Sequence, residues 1–259
     1  PTPAAGLSFG LSVALSGSTA LIGCTSSNNA AYIFDTQTGN LLFTLENPTP
    51  SPSDQYGSIE TSLAISDTYA VVGAPLENST GAVHVFDTTT GDLLRTLNNP
   101  NSYGTATGDN FGVSVSLSGD LIAVGAYFED AAPPPASGND QLSSGVVYVF
   151  DASTGNLLHT FTNPNAFDTA ESDYFGNDVA LSGNYLLVGA FGEDDAGGVS
   201  SGKAYVFDLT TDSLVQTLGN PNAVSDSQGD NFGFRVAIDN DNFIVSARGE
   251  RNPNTLEQT

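Results

Sequence analysis

Short apolar runs alternate with polar turns along the whole chain, and they recur in one order. Phe-Gly or Tyr-Gly stands at Phe9-Gly10, Tyr56-Gly57, Phe111-Gly112, Phe175-Gly176 and Phe232-Gly233, at steps of 47, 55, 64 and 57 residues. A strand-like run follows each pair. A short turn then leads to a second apolar run: Ala20–Cys24, Ala70–Ala74, Ile122–Ala126, Leu186–Ala190 and Phe243–Ala247. After a variable polar loop comes a third run ending in Phe-Asp, at Ala31–Asp35, Val83–Asp87, Val147–Asp151 and Ala204–Asp208. The fourth runs are Leu41–Leu45, Leu93–Leu97, Leu157–Phe161 and Leu214–Leu218, and Asn-Pro follows each. Runs this short, rich in β-branched and aromatic residues and bounded by Gly, Asn, Asp, Ser and Pro, read as strands. No segment sustains helical spacing between caps.

Four strands per unit, repeated along the chain, predict an all-β fold: a β-propeller of four-stranded antiparallel blades. One such sheet cannot bury both faces alone, but stacked sheets can. Residues 1–259 read as a single domain with repeats at approximately 7–48, 54–100, 109–164, 173–221 and 230–259. Four repeats are complete and the fifth holds two clear strands. Three readings of that end stay open: a five-bladed ring, a stretch of a longer propeller, or an open edge completed by another chain. Gly23, Gly73, Gly125 and Gly189 lie inside second strands, where close backbone approach at a crowded centre would explain them; the fifth repeat has Ser246 there. The turns at Asp35–Asn40, Asp87–Asp92 and Asp151–Asn156 carry Asp first and Gly in the left-handed position, so these aspartates read as turn residues.

Charge narrows the partners. Five Lys and Arg stand against 29 Asp and Glu, a net charge of −24 over 259 residues. Nucleic acid and anionic membrane surfaces both need clustered basic residues, so neither is expected as a partner. The apolar runs are far too short to insert as a spanning helix. A single cysteine, Cys24, excludes an intrachain disulfide and reads as a buried, inert thiol. Catalytic groups are scarce: His84 and His159 fall at different positions of their repeats, and no nucleophile elbow with a partner His is present. The chain is therefore expected not to be an enzyme. The run Tyr148–Leu158 faintly resembles the repeat of quinoprotein dehydrogenase propellers, but those place a Trp after the turn and this chain has none.

The repeat is similar to the FG-GAP family, the blade unit of the integrin alpha-subunit propeller. The residues that carry the resemblance are Tyr56-Gly57 with Gly73-Ala74-Pro75, Phe111-Gly112 with Gly125-Ala126-Tyr127, and Phe175-Gly176 with Gly189-Ala190-Phe191. The resemblance covers almost the whole chain. It implies a propeller that binds or adheres, outside the cell or at its surface. Many family members carry an Asp-x-Asp-x-Asp-Gly calcium loop between the first and second strands. Here that link is Ser16-Gly17-Ser18, Ser118-Gly119-Asp120 or Ser182-Gly183-Asn184, too short to wrap calcium. The chain looks like the subgroup with a plain turn.

Two acidic columns are expected at the opposite end of the blades. Four residues after the second-strand glycine column stand Ser27, Glu77, Glu129, Glu193 and Glu250; two residues before Phe-Gly or Tyr-Gly stand Asp54, Asp109, Asp173 and Asp230. Oxygen-rich loops suit calcium, a hard cation. The candidate ligands are Glu129, Asp130 and Asp140 in the third repeat and Glu193, Asp194 and Asp195 in the fourth. Solvated loop charge is the competing explanation. Tyr127, Phe128 and Phe191 begin the same loops and could contact a protein or glycan, and Asn78 opens a glycosylation sequon. Two functions follow: a binding module on this loop face, or a structural subunit of an extracellular assembly that self-associates through the incomplete fifth repeat.

Overall fold

The computed structural model describes residues 8–25, 29–51, 53–100, 108–130, 143–164, 172–194, 200–221, 229–240 and 242–250. Strands form where the apolar runs stand. Blade 1 holds β1 (Ser8–Ser16), β2 (Thr19–Thr25), β3 (Ala30–Asp35) and β4 (Leu41–Glu46). Blade 2 holds β5 (Leu63–Ile65), β6 (Tyr69–Ala74), β7 (Ala82–Asp87) and β8 (Leu93–Asn98). Blade 3 follows with β9 (Ser114–Ser118), β10 (Leu121–Ala126), β11 (Val146–Asp151) and β12 (Leu157–Thr162). In blade 4 stand β13 (Val179–Ser182), β14 (Tyr185–Ala190), β15 (Lys203–Asp208) and β16 (Ser213–Gly219). The fifth sheet has two strands, β17 (Phe232–Asp239) and β18 (Asn242–Ala247). Each sheet is an antiparallel meander in chain order, as expected of propeller blades.

Blades stack through their apolar faces. Leu21, Ala31, Ile33 and Leu45 of blade 1 meet Leu63, Ile65, Ala70, Val72, Ala74 and Phe86 of blade 2 in one buried cluster. Equivalent clusters join blades 2 and 3, 3 and 4, and 4 and 5. The first strands of successive blades lie side by side: β1 on β5, β5 on β9, β9 on β13, β13 on β17. Among the described residues, no further blade covers either end of the stack. Val13 is 61% exposed where its blade 3 counterpart Val115 is 6% exposed, and Ile244 is 71% exposed where Leu21 is fully buried.

The outer hairpins close as their sequence predicts. Asp35 Oδ1 accepts the Gln37 and Thr38 amides at 2.9 and 2.7 Å, and Asp151 Oδ1 accepts the Thr154 amide at 2.8 Å. In the fourth blade Asp212 itself takes the left-handed position that Gly39, Gly91 and Gly155 hold elsewhere. Backbone and side-chain hydrogen bonds hold the carboxyls of Asp35, Asp87, Asp151 and Asp208 below their ordinary value.

The second-strand glycines sit where two backbones touch. A Cβ on Gly23, Gly73, Gly125 or Gly189 would lie 1.7, 2.0, 2.0 or 2.1 Å from the carbonyl oxygen of Gly57, Gly112, Gly176 or Gly233, each in the next blade. Gly73→Ala is therefore expected to destabilise the protein by about 3 kcal/mol, since the obstruction is backbone and cannot swing aside. Gly219→Ala, where a Cβ meets nothing within 4 Å, should stay within about 0.5 kcal/mol. Urea unfolding of the two variants beside the parent checks the contrast.

Candidate functional site

The two acidic columns do converge, but the structure turns them inward. Asp54, Asp109, Asp173 and Asp230 are buried, as are Glu77, Glu129 and Glu193. The asparagine of each Asn-Pro pair explains why. Asn47 Nδ2 donates to Asp54 Oδ2 at 3.1 Å and to Glu77 Oε2 at 3.0 Å. Asn99, Asn163 and Asn220 donate to Asp109, Asp173 and Asp230 at 2.9, 2.7 and 3.1 Å. Each staple ties the exit of one blade to the entry of the next. A carboxylate this buried needs donors, and a primary amide brings two.

The glutamate completes the staple from the third strand. Glu77 Oε2 lies 2.9 Å from His84 Nε2, while His84 Nδ1 lies 3.0 Å from Thr96 Oγ1. An ionised carboxylate only accepts, so Nε2 carries the proton. Tyr148 donates to Glu129, and Tyr205 donates to Glu193, which also accepts from Lys203 Nζ at 2.7 Å. Burial pushes Glu77 up, but the bonds from His84, Thr49 and Asn47 outweigh it and hold its carboxyl below the usual range. At Glu129 burial wins over the Tyr148 bond, and the charge of Asp109 adds to it, so the carboxyl is pushed up to about 7. Burial and the neighbouring Glu193 raise the Tyr205 hydroxyl.

This geometry bears on each candidate metal ligand. Glu129 and Glu193 are held by tyrosines in the interior. Asp130 Oδ1 accepts the Ser143 amide at 3.0 Å and Asp194 Oδ1 the Ser200 amide at 2.6 Å, closing their loops. Asp140 and Asp195 lie outside the described residues. Among the described residues no group of three or more His, Cys, Asp or Glu side chains is placed to hold a metal ion. Asn78 is exposed, in the left-handed conformation within the 3-10 turn Glu77–Ser79. Cys24 is buried, and His159 Nδ1 lies 2.5 Å from Asp212.

The aromatic candidates do come together. Tyr127 and Phe128 pack at 4.1 Å between centroids. Tyr174 lies 5.8 Å from Tyr127 and 5.7 Å from Phe128, and stacks on Phe191 at 5.0 Å. Phe191 meets Phe234 edge-on at 5.5 Å. The result is a strip of five rings across blades 3, 4 and 5, with Phe128 exposed and the others half-buried. Sequence reasoning missed Tyr174 and Phe234. The signal was present at Tyr174: the residue before Phe-Gly or Tyr-Gly is Gln55, Asn110 or Asn231 in other repeats, and all four are left-handed, with φ of 56, 59, 53 and, for Tyr174, 57°.

The FG-GAP repeat family model matches residues 103–150 and 165–207, which span most of the third repeat and the front three strands of the fourth. The chain carries FG-GAP repeats at these two positions. No curated protein matches it at a significant level. FG-GAP repeats suggest an integrin-like propeller, a scaffold that often binds or adheres and occurs in extracellular or surface proteins. No helix among the described residues is long and apolar enough to cross a membrane.

The staples give the protein a pH dependence of definite sign. Glu129 has an ordinary value of 4.5 and a folded value of about 7, so the folded state holds the proton more tightly. The stability this contributes is complete below about pH 4.5 and is lost as pH rises through about 7. Glu129→Gln keeps an acceptor for Tyr148 and removes the titration. Its stability should change less between pH 5 and pH 8 than the parent's, and exceed it at pH 8 by at most about 3 kcal/mol. Chemical unfolding across that range measures both slopes.

Proposed function

We propose that this chain is a non-enzymatic binding or adhesion propeller of the cell exterior, and that its loop face takes a protein or glycan along the aromatic strip. One observation carries the reading. Tyr174 holds φ 57°, a conformation that suits the asparagines standing at the same place in repeats 3 and 5 and that strains a bulky side chain. Such strain costs about 1–3 kcal/mol and tends to mark functional sites. Here it sets one ring between Tyr127 and Phe128 of blade 3 and Phe191 of blade 4, joining the rings of separate blades into one surface. The burial of Cys24 and the fixed partners of His84 support a role without catalysis. Calcium remains a proposed loop cation, with Asp130 and Asp194 as its outer candidates.

Tyr174→Asn separates function from fold. The variant should unfold at the same temperature as the parent or higher, because the strain is relieved as the ring contacts are lost. On an array of immobilised glycans and peptides, it should lose the signals that the parent gives. Equal binding by parent and variant, or no binding by the parent, would overturn the reading.

A second reading rests on the open ends of the stack. The apolar face of blade 1, with Val13 and Leu15 exposed, is the kind of surface that blades 2 to 4 each bury against a preceding blade. A neighbouring chain seated there would make this protein a subunit of an extracellular assembly. Sedimentation should then show an oligomer that grows with concentration and that Val13→Asp disperses. A monomer at every concentration would count against it.

A further inference from the structure

In a repeat protein the positions that break the repeat are informative, and here several converge. Between the glycine of Phe/Tyr-Gly and the next column, repeats 1, 3, 4 and 5 have a single residue: Leu11, Val113, Asn177 or Phe234. Repeat 2 has four, 58–61, before Ser62. The added residues carry Glu60, whose Oε2 lies 2.5 Å from Arg235 Nη2 in blade 5. Arg235 occupies a column that is otherwise Ser12, Ser62, Ser114 and Asp178, and Arg248 follows the second strand where Pro75, Tyr127 and Phe191 stand in blades 2 to 4. These departures line one cavity of about 360 Å³, together with Leu11, Ser58, Ile59 and Phe234.

The charge of this cavity runs against that of the chain. Two of the five basic side chains of a −24 protein lie here. Both guanidinium carbons sit over the Phe234 ring, at 4.4 Å for Arg235 and 4.7 Å for Arg248. Arg235 is fixed further, with Nη1 donating to the Phe234 carbonyl at 2.9 Å and Nη2 held by Glu60. Arg248 is exposed, and among the described residues no carboxylate lies within ion-pair distance of it. Stacking on Phe234 orders the guanidinium without using its N–H donors. An ordered guanidinium fork with free donors matches a carboxylate, which it takes by two parallel hydrogen bonds.

The rest of the lining says what the carboxylate is attached to. Glu60 is an acceptor for hydroxyls, Ser58 brings a hydroxyl, and Leu11 and Ile59 supply aliphatic wall. Acceptors and donors beside an aliphatic patch suit a pyranose ring, which has hydroxyl edges and a C–H face. The volume lies in the lower part of the range for small-ligand sites, about 300–1,000 Å³. We propose that this cavity is a subsite for a carboxylate-bearing sugar, with Arg248 and Arg235 on the carboxylate and Glu60 on a hydroxyl. It rests on the reading of the loop face as a ligand surface, since Phe234 is both the end of the aromatic strip and the platform for the two arginines. An acidic glycan would lie along the rings with one uronate unit in the cavity.

The test is calorimetric titration of the parent with oligogalacturonate, with a neutral galactose oligomer of the same length, and with a short acidic peptide. The uronate oligomer should bind and the neutral one should bind at least about tenfold more weakly, the factor expected for losing one charge-assisted contact. Arg248→Gln, at an exposed position, should keep the parent's melting temperature and weaken uronate binding about tenfold. Arg248→Lys should recover part of that loss. Failure of uronate to bind at millimolar concentration, equal binding of the neutral oligomer, or preference for the peptide would each overturn the sugar-carboxylate assignment. None of those results bears on the strip, which stands or falls on the array comparison with Tyr174→Asn.

Discussion

The structure depends on a contact between backbones. The second-strand glycine of one blade lies under the carbonyl of the Phe/Tyr-Gly glycine of the next, with no room for even a methyl group. That second glycine also donates its amide within its own blade: Gly57 to Gly73 at 2.8 Å, Gly112 to Gly125 at 3.0 Å, Gly176 to Gly189 at 2.9 Å. The chain of contacts therefore runs from blade to blade and sets their spacing near the centre. Everything beside it is placed as a consequence. The aromatic residue before the glycine, Tyr56, Phe111 or Phe175, is driven into the interblade core. The Asp three residues before the glycine is carried to the asparagine of the preceding blade.

That placement explains how so acidic a chain can bury seven repeat carboxylates. Glu77 and Glu129 take donors from two blades, Asn47 with His84 and Asn99 with Tyr148, so the staple acts as a joint as well as a charge sink. The joint has one geometry and more than one electrostatic outcome. Where His84 and Thr49 donate, Glu77 is stabilised as an anion. Where Tyr148 and Asn99 donate, burial prevails and Glu129 holds its proton near neutrality. Lys203 gives Glu193 a cation instead. Variation at the third strand thus tunes a repeated architecture without moving it, because a buried carboxylate responds to the donors around it as well as to burial.

Much of this was legible in the sequence because it is repeated. Strand order, the Ser-Gly and Asp-turn hairpins and the crowding at Gly23, Gly73, Gly125 and Gly189 all follow from columns that recur at corresponding positions. The acidic columns were legible as columns, and their meeting at one end was correct. Their direction was not. Whether Glu129 faces solvent or Tyr148 depends on Asn99, far along the chain, and Asn-Pro reads from sequence as a strand terminator. The aromatic strip was half legible: Tyr127, Phe128 and Phe191 announce themselves beside the second strand. Tyr174 is hidden among turn residues until its φ is known.

Repetition also separates scaffold from site. A column that recurs is accounted for by the stacking it serves, since every blade needs the same glycine, the same aromatic and the same staple. A departure has no such account and has to be explained where it stands. Ser246 is such a case: its hydroxyl accepts the Arg235 amide at 2.9 Å, a bond that a glycine could not make. In blades 1 to 4 the glycine at that column is forced by the carbonyl of the following blade, and blade 5 is followed by none among the described residues. Freed from that contact, the column takes a side chain, and the side chain steadies the strand that carries Arg235. Among the described residues, the fifth sheet is thus where the repeat is released from its central constraint. The same release lets Arg235 and Arg248 stand where other blades keep Ser, Asp, Pro or an aromatic ring, so the departures gather at this end for a physical reason.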